Sequence, residues 1–364
     1  MKISFLYGAD LRGLFRLFGK ARFKLLFRSI PDLLLHFIMA CFNTLLSLSE
    51  RFRSYSEQPK KPIYILGHWR SVTTHLHNLM NVDGKFLSSN TFHAAFPHSF
   101  WAEKWLAPLL DQIGPGERLM DRMKMVMASV QEEEIALASL GAPSSYLAIH
   151  FPLDADRYRS YVSFRNANER EREEWKSAYG KFMSKFQELR GDGRSLVLKS
   201  PAHTARIPML LDLYPEARFI HIHRNPYETI RSSLHLYDSW FKMVNFQSLD
   251  SLKRNRDQLV LDMYEEVHRC WIEDKHLIPT ERLYMLSFES LKQEPLTSLQ
   301  KIYGFLGEEL DEAAIATYLN SITSYKQNRY DALSSELIQQ INERMGFVFE
   351  EFGYEMQSHI QEKV

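Results

Sequence analysis

Residues 62–77, PIYILGHWRSVTTHLH, constrain the fold more than any other stretch of this 364-residue chain. Ile63 to Leu66 read as a short buried strand, Gly67 starts a tight turn, and Thr73 opens a helix. A strand that passes straight into a helix belongs to a parallel α/β sheet. Its turn gathers backbone N–H groups at the positive end of the helix. Arg70 adds a fixed charge there, and Ser71, Thr73 and Thr74 add hydroxyl donors. The stretch reads as a cradle for a phosphate-like anion. Against the pattern G-x-x-x-x-G-K-[ST], Gly67 fits, but Val72 stands in the second Gly place and Thr73 in the Lys place. A kinase or ATPase reading therefore loses its key charge. A β-branched residue reaches positive φ only at a cost, so the loop is expected to hold Val72 at negative φ with the cradle intact.

The rest of the chain repeats the strand–helix theme. Strands are expected over 63–66, 195–198, 218–223 and 283–288. Helices are expected over 73–82, 202–213, 226–237, 253–276 and 296–306, with further helices over 118–140 and 168–190. This alternation predicts an α/β fold, a central parallel sheet with helices on both faces, whose ligands sit at the carboxyl ends of the strands. Three of those ends carry a cation: Arg70, Lys199 and Arg224. Ser232 follows Arg224 by about two helical turns, on the helix that Pro226 opens, so both could reach one phosphate.

Charge and cysteine content narrow the class. The 45 basic and 45 acidic residues balance, which argues against a nucleic-acid partner. Cys41 and Cys270 lie far apart, no Cys/His cluster suggests a metal, and a reducing, cytoplasmic setting is the default. Residues 1–58 read as a basic amphipathic helical arm ahead of a domain over 59–364. Within the arm, residues 1–53 carry nine Lys/Arg against Asp10, Asp32 and Glu50. The apolar run Leu33 to Leu48 contains His36, Asn43 and Thr44 and is shorter than the roughly 20 residues of a membrane span. Two readings remain: an arm packed on the domain, or a segment lying peripherally on the inner, anionic face of a membrane.

The motifs carry a family resemblance. Gly67-His-Trp-Arg-Ser-Val-Thr-Thr74 resembles the 5′-phosphosulfate loop of sulfotransferases that use 3′-phosphoadenosine 5′-phosphosulfate (PAPS), with Val72 in a glycine place. Arg224-Asn-Pro with Ser232-Ser233 resembles their 3′-phosphate site, and Leu198-Lys-Ser-Pro-Ala-His203 the strand that brings Lys and His to the sulfuryl group. Ser287-Phe-Glu-Ser-Leu291, Phe305-Leu-Gly307 and Tyr325-Lys-Gln-Asn-Arg-Tyr330 are similar to later family blocks. Phe96-Pro-His98, Glu103-Lys-Trp105 and Gln131 to Leu137 resemble the bacterial branch, which includes enzymes that sulfate hydroxylated menaquinone. The resemblance covers roughly residues 60–330 and implies the P-loop-like PAPS sulfotransferase fold.

It also implies roles. Gly67, His68, Trp69, Arg70, Ser71, Val72, Thr73 and Thr74 would line the 5′ end of PAPS, and Arg224 and Ser232 the 3′-phosphate, with Lys326 and Arg329 as further candidates. Arg70 and Lys199 would stabilise charge on the leaving phosphate oxygen, without a metal. His203 ranks first as the base, Glu133 second and Glu103 third. Glu132, Glu133 and Glu134 form a run on one expected helix, so they cannot all face a pocket. The aromatics Phe96, Phe100, Trp101 and Trp105 mark Phe92 to Trp105 as the acceptor region, favouring a hydroxylated lipid-like acceptor over a sugar. The alternatives are a catalytically impaired nucleotide-binding protein of the same fold, for which Val72 speaks, and a P-loop kinase.

Overall fold

The computed structural model describes residues 4–21, 25–48, 50, 52–113, 126–190, 192–322 and 330–357. Lys326 and Arg329 lie outside these described residues. The elements that build the core and the site begin with α1 (Leu11–Lys20) and α2 (Ile30–Leu48). Strand β1 (Ile63–Leu66) leads into α3 (Thr73–Met80), and α4 (Glu103–Ile113), α5 (Glu133–Ser139) and α6 (Glu169–Arg190) follow. Next come β2 (Val197–Lys199), α7 (Ile207–Leu213), β3 (Arg218–His223), α8 (Pro226–Trp240) and α9 (Arg256–Asp274). The chain closes with β4 (Leu283–Ser287), α10 (Pro295–Leu306) and α11 (Ser335–Phe352).

The sheet order is β2-β1-β3-β4, and every neighbouring pair is parallel. Ile65 pairs with Lys199, Leu66 with His221, and His223 with Ser287, so all four strands end on one edge. Both faces of β1 are covered, which is why its residues form an unbroken apolar run instead of an alternating one. Tyr64 and Leu66 pack with Leu198 and Phe219 on one side. Ile63 and Ile65 pack with Val197, Ile220, Ile222 and α10 on the other.

The N-terminal segment is packed into this core: Leu6, Leu17 and Ala21 belong to the same apolar cluster as Tyr64 and Leu198. Asp10 caps α1 by accepting from the Gly13 N–H at 2.7 Å. Three expected helices break, that over 253–276 at Asn255, between a short helix Asp250–Arg254 and α9. The stretch 202–213 divides into a 3₁₀ turn (Pro201–Ala205) and α7. Residues 126–132 are not helical, and α5 begins only at Glu133. Their backbone pairs instead with 89–92: the Gln131 N–H donates to Ser89 O at 2.9 Å and the Thr91 N–H to Ser129 O at 2.8 Å. Those tertiary bonds replace the helical ones.

Candidate active site

The loop after β1 is built from positive-φ residues. Gly67 sits at φ 143°, Arg70 at 70° and Val72 at 75°. The expectation of negative φ at Val72 is thus corrected. Left-handed residues on either side of Ser71 turn successive N–H groups toward one side, and that geometry is what an anion cradle needs. The valine accepts a left-handed conformation in order to keep it. Gly67 is indispensable for space: a Cβ there would meet Ile222 O at 2.4 Å and Ser71 Oγ at 2.6 Å. Thr204 clamps the same glycine. Its hydroxyl accepts from the Gly67 N–H at 2.7 Å and donates to Gly67 O at 3.1 Å. Ser71 closes the turn by donating to His68 O at 2.8 Å. Burial, then the nearby His268, pushes His68 down to about 3, so its ring is neutral in the loop. Thr73 is buried and Thr74 half-buried at the start of α3.

The second motif meets the first. Arg70 Nε donates to Ser232 Oγ at 2.9 Å, and Arg70 Nη2 donates to Tyr330 OH at 3.2 Å. Ser232 in turn donates to Tyr330 at 3.0 Å. Arg224 donates to the carbonyl of Arg70 at 3.3 Å and lies 4.9 Å over the Phe288 ring. Burial lowers the Arg224 pKa, with Glu228 opposing and Arg70 adding to the lowering. Two guanidinium groups drawn together in this way favour an anion beside them. The Arg70 side chain therefore joins the Arg224–Ser232 group and not the loop from which it springs. Sequence reasoning did not single out Tyr330 or Thr204. Tyr330 ends the stretch Tyr325 to Tyr330, and Thr204 adjoins His203, which were the only signals for either.

Of the three consecutive glutamates, Glu133 and Glu134 are fully buried and Glu132 keeps partial exposure. Each meets a side chain from the segment that begins at the end of β2. Glu132 accepts from Lys199, Glu133 pairs with His203, and Glu134 forms a two-pronged pair with Arg206 at 2.8 and 3.1 Å. Burial alone would raise Glu134, but Arg206 outweighs it and holds the carboxyl low. Arg206 also donates to the carbonyls of Tyr161 and Val162 and stacks on Trp175 and Phe164. His203 and Glu133, the two first-ranked bases, are 0% exposed and pair through one contact, while His203 Nδ1 and Glu133 Oε2 have no hydrogen-bond partner among the described residues. Glu103 is held by Asn90 Nδ2 at 2.6 Å and faces His93 at 3.3 Å.

Glu132 is different. It precedes α5, keeps partial exposure, and touches two groups at once: Lys199 and the hydroxyl of Tyr146. Tyr146 also accepts from Trp69 Nε1 at 3.1 Å. Burial, then the Glu132 charge, raises the Tyr146 phenol far above its ordinary range, so it remains a donor. Trp69 and Tyr146 are also walls of an apolar pocket completed by Leu236, Trp240, Val260 and Met263. The pocket is narrow as its side chains stand, with a cavity volume of about 60 Å³. The aromatics of the expected acceptor region divide between core and surface. Phe92, Phe96 and Phe100 are core residues, while Trp101 and Trp105 face outward.

A parallel sheet with a Gly-led anion loop on one strand end, a lysine on the next and an Arg–Ser pair on the third defines a group-transfer enzyme handling phosphate-like anions. The sequence comparison makes the class specific: residues 62–312 match the model of the sulfotransferase family, and the chain belongs to that family. It is a sulfotransferase. It is 32% identical over 299 residues to the omega-hydroxy-beta-dihydromenaquinone-9 sulfotransferase Stf3 of Mycobacterium tuberculosis, covering 81% of this chain and 75% of that one. Among solved structures, sulfotransferase STF1 of Mycobacterium tuberculosis matches with a TM-score of 0.64 at 20% identity, over 92% of this chain and 90% of that chain. Sulfotransferase STF9 of Mycobacterium avium matches with a TM-score of 0.66 at 19% identity, over 83% and 79%. These two likenesses speak to the fold.

Proposed function

We propose that the chain transfers a sulfuryl group from PAPS to the hydroxyl of an elongated apolar acceptor, an isoprenoid lipid alcohol in class. The observation that carries this reading is the contact chain Lys199–Glu132–Tyr146–Trp69, whose last two members wall an apolar pocket. The name of the menaquinone-handling relative supports the same class of acceptor.

The cradle fits the donor's 5′ end, since Gly67 leaves room for nothing larger than hydrogen and positive φ at Arg70 and Val72 keeps the N–H groups converging. Arg224, Ser232, Arg70 and Tyr330 fit the 3′-phosphate, and Lys326 and Arg329 remain further candidates for it. Bound there, PAPS supplies a sulfuryl group on an anhydride oxygen. Glu132 takes the proton of the acceptor hydroxyl. Lys199 holds that carboxylate in place and sets a positive charge at the strand end. Tyr146 fixes the second carboxylate oxygen. The apolar walls exclude water, which would otherwise compete as acceptor.

The test pairs binding with turnover. 3′-Phosphoadenosine 5′-phosphate should raise the melting temperature without metal, and ATP should raise it less. Glu132→Gln should lower kcat by at least about 100-fold while leaving that thermal shift intact. A Glu132→Gln enzyme with native turnover removes Glu132 as the base. No thermal shift with the 3′-phosphorylated nucleotide defeats the donor assignment.

A further inference from the structure

Helix α2 is amphipathic in the inverted sense. Its polar side chains face the protein. Asn43 donates to Tyr7 O at 2.7 Å and Ala9 O at 3.0 Å, His36 Nε2 meets Ser4 Oγ at 2.7 Å, and Thr44 accepts from the Leu11 N–H at 2.9 Å. His36, Ala40, Asn43 and Ser47 form the buried stripe. The outward stripe is apolar: Leu34, Phe37, Ile38, Phe42, Leu45 and Leu48 are each 41–67% exposed. From Ile30 to Leu48 no exposed residue is polar. The hydrogen bonds fix the rotation of the helix, so the apolar face cannot turn inward without orphaning Asn43 and His36.

The apolar surface extends onto α4. Met39 of α2 and Leu106, Ala107 and Leu110 of α4 lean on one cluster around Phe92 and Phe96. The outer side of α4 exposes Trp105 (76%) and Leu109 (57%). Charge around the patch is mostly positive, although Asp111 on α4 is also exposed. Arg12, Arg16, Arg28, Arg53 and Lys104 are exposed. The acidic residues of the described segments 4–53 are turned in: Asp10 caps α1, Asp32 is half-buried, and Glu50 pairs with Lys185 at 2.8 Å.

We propose that this face docks on an anionic phospholipid bilayer, with α2 lying in the plane of the interface. Its 19 residues give an apolar strip about 28 Å long. Phe27–Leu48 is long and apolar enough, by length and composition, to cross a bilayer. Its polar stripe, tied to Ser4, Tyr7 and Ala9, keeps it on the protein, so it inserts sideways, as interfacial helices do. Tryptophan at the rim and arginines around it suit the headgroup layer. The inference goes beyond the proposed reaction and stands on α2, α4 and their charges, whatever the acceptor is.

The full chain is floated with vesicles of phosphatidylcholine and phosphatidylglycerol (1:1), and with phosphatidylcholine alone. The native protein should partition onto the mixed vesicles and weaken with salt. The triple variant Leu34→Gln/Ile38→Gln/Leu45→Gln should partition at least about tenfold more weakly, with an unchanged melting temperature. Trp105→Ala, on the other helix, should weaken partition severalfold and covers the case in which the triple variant fails to fold. Native-like partition by both variants overturns the proposal. So does a native protein that ignores the mixed vesicles, including one that sediments as a dimer split by the triple variant, which would assign the face to a second copy.

Discussion

At Val72 a single backbone angle decides how an off-pattern loop remains serviceable. A β-branched residue at φ 75° carries roughly 1–3 kcal/mol of backbone strain. Glycine would remove that strain but widen the unfolded ensemble by roughly 0.5–1 kcal/mol. The balance favours the variant. Val72→Gly should stabilise the protein by about 1 kcal/mol in a denaturant titration. Turnover should change by less than about threefold, because the N–H directions are already set by the native angles. A large rise in turnover would mean that the valine loosens the cradle, and a loss of stability would mean that its side chain outweighs its strain.

Helix α8 shows how an element carries a site residue. Asn225 Oδ1 accepts from the Tyr227 N–H at 3.0 Å and caps the helix two turns before Ser232. Removing the cap in Asn225→Ala should cost about 1 kcal/mol of stability. It should also weaken binding of 3′-phosphoadenosine 5′-phosphate more than binding of the 5′-phosphate lacking the 3′ group, as calorimetry can resolve. Equal weakening of both would confine the cap to a structural role. This element was legible in advance, since Pro226 after Asn225 marks a helix start within a few residues of chain. The strands were legible for the same reason, each being a local apolar run between turns. What escaped was pairing across the chain. Lys199 lies 67 residues from Glu132, and His203 lies 70 from Glu133. Both ends of the ladder stood out in the sequence, but which glutamate reaches the cleft depends on where α5 begins. That start is set by backbone bonds between 126–132 and 89–92, which no local pattern announces. Tyr146 was invisible for the same reason: its role exists only through Glu132 and Trp69.

Across the molecule, buried neutral histidines tie distant segments together, and His150 is the clearest case. Its Nε2 accepts from the Phe5 N–H at 3.3 Å, so the proton sits on Nδ1, which donates to Val244 O at 2.7 Å. One imidazole thus joins the N-terminal segment, the turn before residue 151 and the stretch after α8. Burial, then His36, pushes its pKa down to about 3. His68 and His77 are also pushed down to about 3, and His223 and His268 to about 4, burial being the leading cause in each. The unfolded chain binds these protons near pH 6.5 and the folded chain does not. Stability from these groups is therefore complete above about pH 6.5 and is lost progressively as pH falls toward 3–4. Each group contributes at most about 1.4 kcal/mol per pH unit over that window. The melting temperature should accordingly fall between pH 7 and pH 5, before carboxylate protonation dominates. His150→Gln keeps one donor and one acceptor without a titrating proton. It should cost stability at pH 7.5 through imperfect fit, yet show a shallower decline between pH 6.5 and 5. A variant whose melting curve tracks the native one across that window would show that His150 takes up its proton in the folded state, and that Phe5 is not held by the neutral ring.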